Sequence, residues 1–148
     1  MERLKFRAWD SWWGKMYYFD FTKNIEATPD DELKGLWILH EEGSVYAIQD
    51  KIKIMQYTGL KDKNGKEIYE GDIVLYKYAS YRDISKVIYN TKIASFEMVA
   101  IKEDDNKSMT KFKKGRTRNF VEGCVNGYDY VKVIGNIYEN SKFLESGE

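Results

Sequence analysis

The sequence is poor in the residues on which most enzyme active sites depend. Its 148 residues include one histidine, His40, one cysteine, Cys124, and one proline. A catalytic zinc ion normally takes three protein ligands, and a nucleophilic cysteine needs a partner base or a lowered pKa. A Cys/His metal cluster and a disulfide framework within one chain are therefore excluded. We predict no catalytic, cofactor-binding or metal-binding residues, and we expect a protein that is not an enzyme.

The chain also lacks a net charge and a long apolar run. Its 24 Lys and Arg residues balance its 24 Asp and Glu residues, whereas a domain that binds nucleic acid with its whole surface usually carries a positive excess. No segment approaches the roughly 18 consecutive apolar residues of a membrane helix. Residues 1–7 carry scattered charges and lack the apolar centre of a secretory signal. We therefore expect a cytoplasmic protein with no membrane contact.

Short runs of Val, Ile, Tyr, Phe and Trp, bounded by Gly, Asn and Asp, are typical of strands and turns. Because 43% of the residues are hydrophobic and 16% are aromatic, the chain can build a core. We predict a mainly β protein with little helix, which forms a single domain over residues 1–148. Within it, we allow a division into an N-terminal β-hairpin region at residues 1–57 and a compact barrel at residues 58–148.

The first predicted hairpin begins at the N-terminus. Residues 4–9 alternate apolar and polar side chains, which predicts a strand whose polar face carries Lys5, Arg7 and also Trp9. Residues 15–21 are its predicted antiparallel partner. The other predicted elements are a loop at 22–35, a hairpin of 36–39 and 45–48, and strands at 73–78, 85–89, 93–101 and 131–138.

Several turn residues have specific predicted roles. Asn64-Gly65 favours a type I′ hairpin turn, in which both central residues take positive φ. Gly59 is expected in a backbone conformation that other residues avoid, and Asp72 is expected to accept a hydrogen bond from the turn before it. Residues 140–145 predict one helical turn that Asn140 caps.

Three patterns suggest reactive or metal chemistry, and a structural explanation is favoured for each. His40 precedes two glutamates, but no second His or nearby Cys completes a ligand set. The segment that begins at Asp62 has Gly65 two positions too early for an EF-hand. Cys124 has no base near it in sequence and is expected to be a small buried residue. An enzyme becomes credible only if two or more carboxylates converge in a pocket.

The first hairpin carries three of the four tryptophans. Adjacent strand residues point to opposite faces, so at least one of Trp12 and Trp13 must face solvent in a monomer. Exposed aromatic residues concentrate at interfaces. We therefore predict a self-association or protein-partner surface at Trp9, Trp12, Trp13 and Tyr17, most simply between identical subunits. The alternative is that a neighbouring segment covers these rings.

Residues 107–118 contain six positive residues and no acid. A basic segment with interleaved aromatic rings can contact phosphates and stack on bases. The candidate nucleic-acid contacts are Lys111, Phe112, Lys113, Lys114, Arg116 and Arg118. A solvated loop, whose charge Glu103, Asp104 and Asp105 offset, is the interpretation we favour.

Three stretches resemble the YopX family of phage and prophage proteins. They are Lys5–Asp10 with Lys15–Tyr17, then Met55–Val74, and finally Val133–Asn140. The resemblance implies a mainly β protein with an SH3-like barrel, encoded by bacteriophages or prophages of bacteria, and no established activity. Residues 78–130 match no motif of that family. Taken together, we expect a non-enzymatic interaction module of unknown function that self-associates, with nucleic-acid binding through residues 107–118 as the alternative.

Overall fold

The fold comes from a computed structural model that describes residues 5–20, 37–40, 43–46, 51–78, 81–103, 114–120 and 130–145. The chain divides into two compact units, Met1–Tyr57 and Thr58–Glu148. In the described ranges it forms eleven strands and one short helix, so the mainly β prediction is confirmed. No helix in these ranges is long and apolar enough to cross a membrane.

The first unit is built on a central strand. Strands β1 (Lys5–Asp10) and β2 (Lys15–Asp20) form the predicted antiparallel hairpin, and β1 also pairs with the first half of β5 (Ile52–Lys61). Strands β3 (Trp37–His40) and β4 (Gly43–Tyr46) form a separate hairpin, in which the second strand begins two residues earlier than predicted. The predicted loop at 22–35 lies outside the described residues.

Both faces of β1 contribute to packing. Ala8, Ile52 and Phe6 form a small apolar cluster on one face. Arg7 lies on the face predicted to be polar, but only 2% of it is exposed. Arg7 pairs with Met55, which is also buried. A strand in the middle of a sheet has neighbours on both sides, and here its second face is covered as well.

The second unit contains a five-strand antiparallel sheet. Its elements after β5 are β6 (Glu67–Tyr69), β7 (Asp72–Tyr78), β8 (Tyr81–Asn90), β9 (Ser95–Glu103), β10 (Thr117–Asn119), β11 (Tyr130–Asn136) and the helix α1 (Lys142–Glu145). The strand order is β10-β9-β8-β7-β11. In the other large sheet the order is β2-β1-β5-β6, and the boundary between the two units falls inside β5.

Alternation along these strands directs one face into a core. On β7, Val74 and Tyr76 are buried, and they pair with Val133 and Val131 of β11. The buried cluster consists of Ile68, Val74, Tyr76, Val87, Met98, Phe120, Val131 and Val133. Leu60 and Phe96 pack against it while partly exposed. The core therefore draws on every strand from β6 to β11 except β10, which Phe120 follows directly.

The turn at Asn64-Gly65 differs from the predicted type I′ turn. Gly65 has a φ of 82°, but Asn64 is not among the non-glycine residues with positive φ. The backbone N–H of Gly65 donates to the Asp62 carbonyl, and the N–H of Asp62 donates to the Lys66 carbonyl. This is a three-residue hairpin loop that ends in a left-handed glycine. Asp62 Oδ1 accepts the Asn64 N–H at 2.8 Å, which favours the right-handed conformation there.

The predictions for two other turn residues are confirmed, whereas one predicted helix cap and one predicted strand start are wrong. Gly59 has a φ of 86°, and Asp72 Oδ2 accepts the Tyr69 N–H at 2.9 Å. Asn140 precedes the predicted helical turn, but its Oδ1 accepts the Asn136 N–H at 3.1 Å instead of capping α1. Ile93, predicted to begin a strand, lies in the β8–β9 turn, where Asn90 Oδ1 accepts the Lys92 N–H.

Candidate interaction surfaces

A buried carboxylate accepts hydrogen bonds from the backbone of the β1–β2 turn. Asp10 Oδ1 accepts hydrogen bonds from the backbone N–H groups of Trp12 and Trp13, at 2.8 and 3.2 Å. The N–H and the hydroxyl of Ser11 both donate to the Lys51 carbonyl, each at 2.9 Å. Gly14 completes the turn with a φ of 61°. The backbone of the turn is therefore fastened both to β1 and to the segment before β5.

This turn presents two tryptophans to solvent. Trp12 is 68% exposed and Trp13 is 74% exposed, so both rings face outward, where the sequence required only one. Tyr18 is 59% exposed and lies on β2 opposite Arg7, three residue pairs along the hairpin from the Asp10–Lys15 pair. We call Trp12, Trp13 and Tyr18 the aromatic tip. Tyr18 was not among the residues that the sequence predicted for this surface.

The other two predicted aromatic residues lie within the sheet. Trp9 and Tyr17 are both half-buried. Trp9 pairs with Met16 on one side and Lys53 on the other, while Tyr17 pairs with Ala8. The Lys15 ammonium lies 5.2 Å from the centre of the Tyr17 ring. The structure thus brings Trp12 and Trp13 to the surface and leaves Trp9 and Tyr17 as supporting residues of the hairpin.

Exposed lysines surround the aromatic tip. Lys15 follows the turn directly, and Lys51 and Lys53 lie on the segment that pairs with β1. Among the described residues at the turn, the carboxylate is Asp10, which is buried and accepts hydrogen bonds from the turn amides. The tip is therefore an apolar centre with a cationic rim.

The basic segment is divided between solvent and core. Lys114 and Arg116 are exposed, while Lys111, Phe112 and Lys113 lie outside the described residues. Arg118 must be removed from the predicted nucleic-acid contacts, because it is buried on β10 opposite Met98. Alternation along this short strand turns Arg118 inward, while the residues on either side of it are exposed.

Arg118 belongs to a buried ionic cluster. Its Nη1 lies 2.6 Å from Asp83 Oδ2, and the side chains of the pair are 5% and 0% exposed. Its guanidinium group lies 4.6 Å from the centre of the Tyr76 ring. The Ser85 hydroxyl donates to Asp83 Oδ1 at 2.7 Å. The cluster lies at the polar end of the core and has a structural explanation, because a buried charge needs a partner.

A second set of cationic residues lies on the side of the five-strand sheet that faces away from the buried cluster. Lys63 and Lys132 are exposed there, and Lys77, Arg82 and Lys102 are half-buried. Tyr130, Lys77 and Arg82 form one row across β11, β7 and β8, and the next row carries Lys132 on β11 and Lys102 on β9. Lys63, in the β5–β6 turn, lies with its ammonium 3.8 Å from the centre of the Tyr130 ring. We call Lys63, Lys77, Arg82, Lys102 and Lys132 the basic face. Its lysines are separated widely in sequence, so composition alone could not reveal it.

The strand content and the sheets define the class of protein. This is a small, mainly β protein with two large sheets, and its described residues form no group of three or more His, Cys, Asp or Glu suited to a metal ion. His40 belongs to β3, and Cys124 lies outside the described residues.

The family follows from the comparisons. The model of the YopX protein family matches residues 5–145, and the chain therefore belongs to that family, whose function is unknown. Protein EF1440 from Enterococcus faecalis is 28% identical with a TM-score of 0.55, and the match covers 95% of this chain and 97% of that one. Protein yopX from Bacillus subtilis is 19% identical with a TM-score of 0.57, over 99% and 100% of the two chains. No curated protein matches this chain.

Proposed function

We propose that this protein is a non-enzymatic interaction module that self-associates through the aromatic tip. The observation that carries the proposal is the exposure of Trp12, Trp13 and Tyr18, each of which is more than half exposed. Aromatic residues combine a large apolar area with few rotatable bonds and are enriched at the centres of interfaces. The hydrogen bonds that fix the β1–β2 turn favour binding further, because aromatic rings on an ordered backbone lose less conformational freedom when they bind.

We propose a second copy of the chain as the occupant, because the zero net charge permits its approach and the apolar centre suits a two-fold contact. The net charge is zero, so two copies approach without overall repulsion. A two-fold interface uses the same patch on both copies, which suits an apolar centre with a polar rim. An aromatic side chain buries about 150–250 Å², so three partly exposed rings bury roughly 300–500 Å² per copy. That area is smaller than the area that each partner buries in a standard protein–protein interface, which indicates a weak, reversible dimer.

Salt distinguishes this dimer from other associations. In a two-fold contact, Lys15, Lys51 and Lys53 of each copy approach the same residues of the other. Screening weakens this repulsion, since the Debye length falls from about 10 Å at 0.1 M to about 3 Å at 1 M salt. The apolar centre is not weakened by salt. We therefore expect tighter self-association at higher ionic strength.

Sedimentation velocity over roughly 1–100 µM, the range of weak dimers, tests the proposal. The expected result is a mass that rises from 17.5 kDa toward twice that value with concentration. The Trp12→Ala/Trp13→Ala variant should remain at 17.5 kDa, and Tyr89→Ala, at an exposed ring in the second unit, should behave as wild type. A wild-type monomer at all concentrations, or an unchanged dimer in the double variant, would contradict the proposal.

We also propose that the second unit is an SH3-like barrel. Support comes from the strand order, in which β7 to β10 follow one another and the last strand, β11, returns to pair with β7. In an SH3-like barrel the last strand likewise pairs with the first. Such barrels bind peptides or nucleic acids, which is an argument by analogy with the fold alone.

The setting and the alternative function follow from the same reasoning. We propose that the protein is phage- or prophage-encoded, as the family resemblance implies, and that it acts in the cytoplasm of a bacterial host. Nucleic-acid binding through residues 107–118 is the alternative, supported by the exposure of Lys114 and Arg116. Changing Lys113, Lys114 and Arg116 to Ser should then reduce salt-sensitive retention on single-stranded DNA. Unchanged retention would exclude that segment.

A further inference from the structure

We propose that the basic face of the second unit is a nucleic-acid binding site that holds the phosphate backbone. The site is centred on Lys63, Tyr130 and Lys77, and it is distinct from residues 107–118. The inference does not rest on self-association, because it concerns the second unit and a polar ligand.

Two ammonium groups share one aromatic ring at this site. The Nζ atoms of Lys63 and Lys77 lie 3.8 and 5.6 Å from the centre of the Tyr130 ring. The ring face attracts each cation, so it gathers two like charges that repel one another. Among the described residues, no carboxylate forms an ion pair with either lysine. An anion that bridges both ammonium groups would relieve the repulsion, and a phosphate group has the required charge and oxygen acceptors.

The position of Lys63 is enforced by the backbone. Its N–H donates to the Val131 carbonyl at 3.0 Å, which fastens the β5–β6 turn to β11. The neighbouring carboxylate strengthens this link, since Asp62 Oδ2 accepts the Val133 N–H at 3.0 Å. The turn is therefore held beside the strand that carries Tyr130. The hairpin residues that resemble the family motif thus have a consequence beyond the turn, because they place a cation at the edge of the sheet.

The cations continue across the sheet as an ordered array. Arg82 pairs with Lys77, and Lys102 lies in the next row at β9. Between Lys132 and Lys102 in that row lie Leu75 and Ile84, an apolar floor along which lysine stems can pack. Adjacent strands lie about 4.8 Å apart, so the array offers charge at short, regular intervals. A repeating polyanion matches such an array better than a single small anion does.

Carboxylates are scarce on this side of the sheet. Among the described strand residues that point outward with Lys77 and Lys102, the acid is Glu97. It is buried, and its Oε2 accepts a hydrogen bond from Asn90 Nδ2 at 2.9 Å. Among the described residues, no acid on this side of the sheet therefore pairs with Lys63 or Lys77.

Fluorescence anisotropy of a labelled single-stranded 20-mer of mixed sequence tests the site, with the full chain titrated at several KCl concentrations. Each phosphate contact to a single strand contributes about 0.7 to the slope of log K against log salt, so five cations predict a slope of about −3 to −4. Lys63→Gln/Lys77→Gln should weaken binding roughly five- to thirtyfold and reduce the slope by about 1.4. The matched control is Lys92→Gln/Lys142→Gln, which removes the same charge from exposed positions elsewhere and should retain the wild-type slope.

The Tyr130→Leu variant tests whether the aromatic ring contributes to binding beyond the charge of the lysines. It leaves every cation in place but removes the ring that gathers Lys63 and Lys77, so we expect weaker binding at an unchanged net charge. Unchanged binding by this variant would overturn the role of the ring. The proposal as a whole is overturned if wild type does not bind at about 50 mM salt, where phosphate contacts are strongest.

Three further outcomes also decide against the site. One is equal weakening in the Lys63→Gln/Lys77→Gln variant and in its matched control. Another is loss of binding only when Lys113, Lys114 and Arg116 are changed. The third is displacement of the oligonucleotide by polyglutamate at equal charge, which would indicate an acidic peptide as the ligand. Thermal unfolding of each variant checks that the fold is retained.

Discussion

Replacing Arg118 should destabilise the second unit severely, because the change leaves the buried Asp83 carboxylate without its charged partner. Asp83 has no exposed side-chain surface, and its carboxylate is held by the Arg118 guanidinium and the Ser85 hydroxyl. In the Arg118→Met variant, a flexible apolar side chain of similar length occupies the site. The carboxylate then keeps only the hydroxyl and has no access to water.

The magnitude follows from the depth of burial. Removing one partner of a buried ion pair typically costs about 3–5 kcal/mol, whereas an exposed pair contributes about 0–1 kcal/mol. With side chains that are 5% and 0% exposed, the Arg118–Asp83 pair belongs to the first case. We expect a loss of about 4 kcal/mol, a large share of the roughly 5–15 kcal/mol that stabilises a domain. Removing both charges in Asp83→Val/Arg118→Met should restore most of the loss, because no charge remains buried.

Urea denaturation followed by far-UV circular dichroism measures these free energies. All four tryptophans lie before residue 58, so tryptophan fluorescence reports on the first unit and serves as an internal control. The full double-mutant cycle should give a coupling energy above about 2 kcal/mol between Asp83 and Arg118. A loss below about 1 kcal/mol in Arg118→Met, with a coupling near zero, would refute the reasoning, because the pair would then behave as if solvated.

Two further substitutions test the turns of the second unit by the same denaturation measurement. Asp62→Ala removes the acceptor of three backbone N–H groups and should cost about 3 kcal/mol, while Asp62→Asn should cost less because it keeps an acceptor oxygen. Equal losses in the two variants would contradict this role. Gly135→Ala should cost about 1–3 kcal/mol, because the added Cβ overlaps the Asn140 side chain that accepts the Asn136 N–H. The cost should nearly vanish in an Asn140→Ala background, and additive losses would contradict the proposed overlap.

Local sequence patterns predicted most of the strands and several turns. Alternation located the first hairpin, and Gly59 and Asp72 behave as their residue types require, since their effects act within a few bonds. The same reasoning failed at Asn64-Gly65, where the neighbouring Asp62 carboxylate captures the Asn64 N–H and selects a different turn. It failed again at Asn140, whose side chain turns back to Asn136 rather than forward to the helix.

The candidate surfaces were predicted less completely, and the reason differs between them. Trp12 and Trp13 were recognised because adjacent residues at a hairpin turn cannot both be covered by one face. That both are exposed depends on the Asp10 carboxylate and on the contact between Ser11 and Lys51, which join residues distant in sequence. The aromatic tip is thus partly local and partly tertiary in origin.

By itself, the sequence determined the mainly β class, the family, the absence of Cys/His cluster chemistry within one chain, and the presence of aromatic residues at one hairpin. These properties follow from composition and from short-range periodicity. Only the tertiary structure decided that Arg118, one of a run of positive residues, faces the core, because strand register sets the side and a shift of one residue would reverse it. Tertiary contacts likewise decided that Lys63 and Lys77 lie at the Tyr130 ring, since strand pairing and the Lys63–Val131 hydrogen bond join residues distant in the chain.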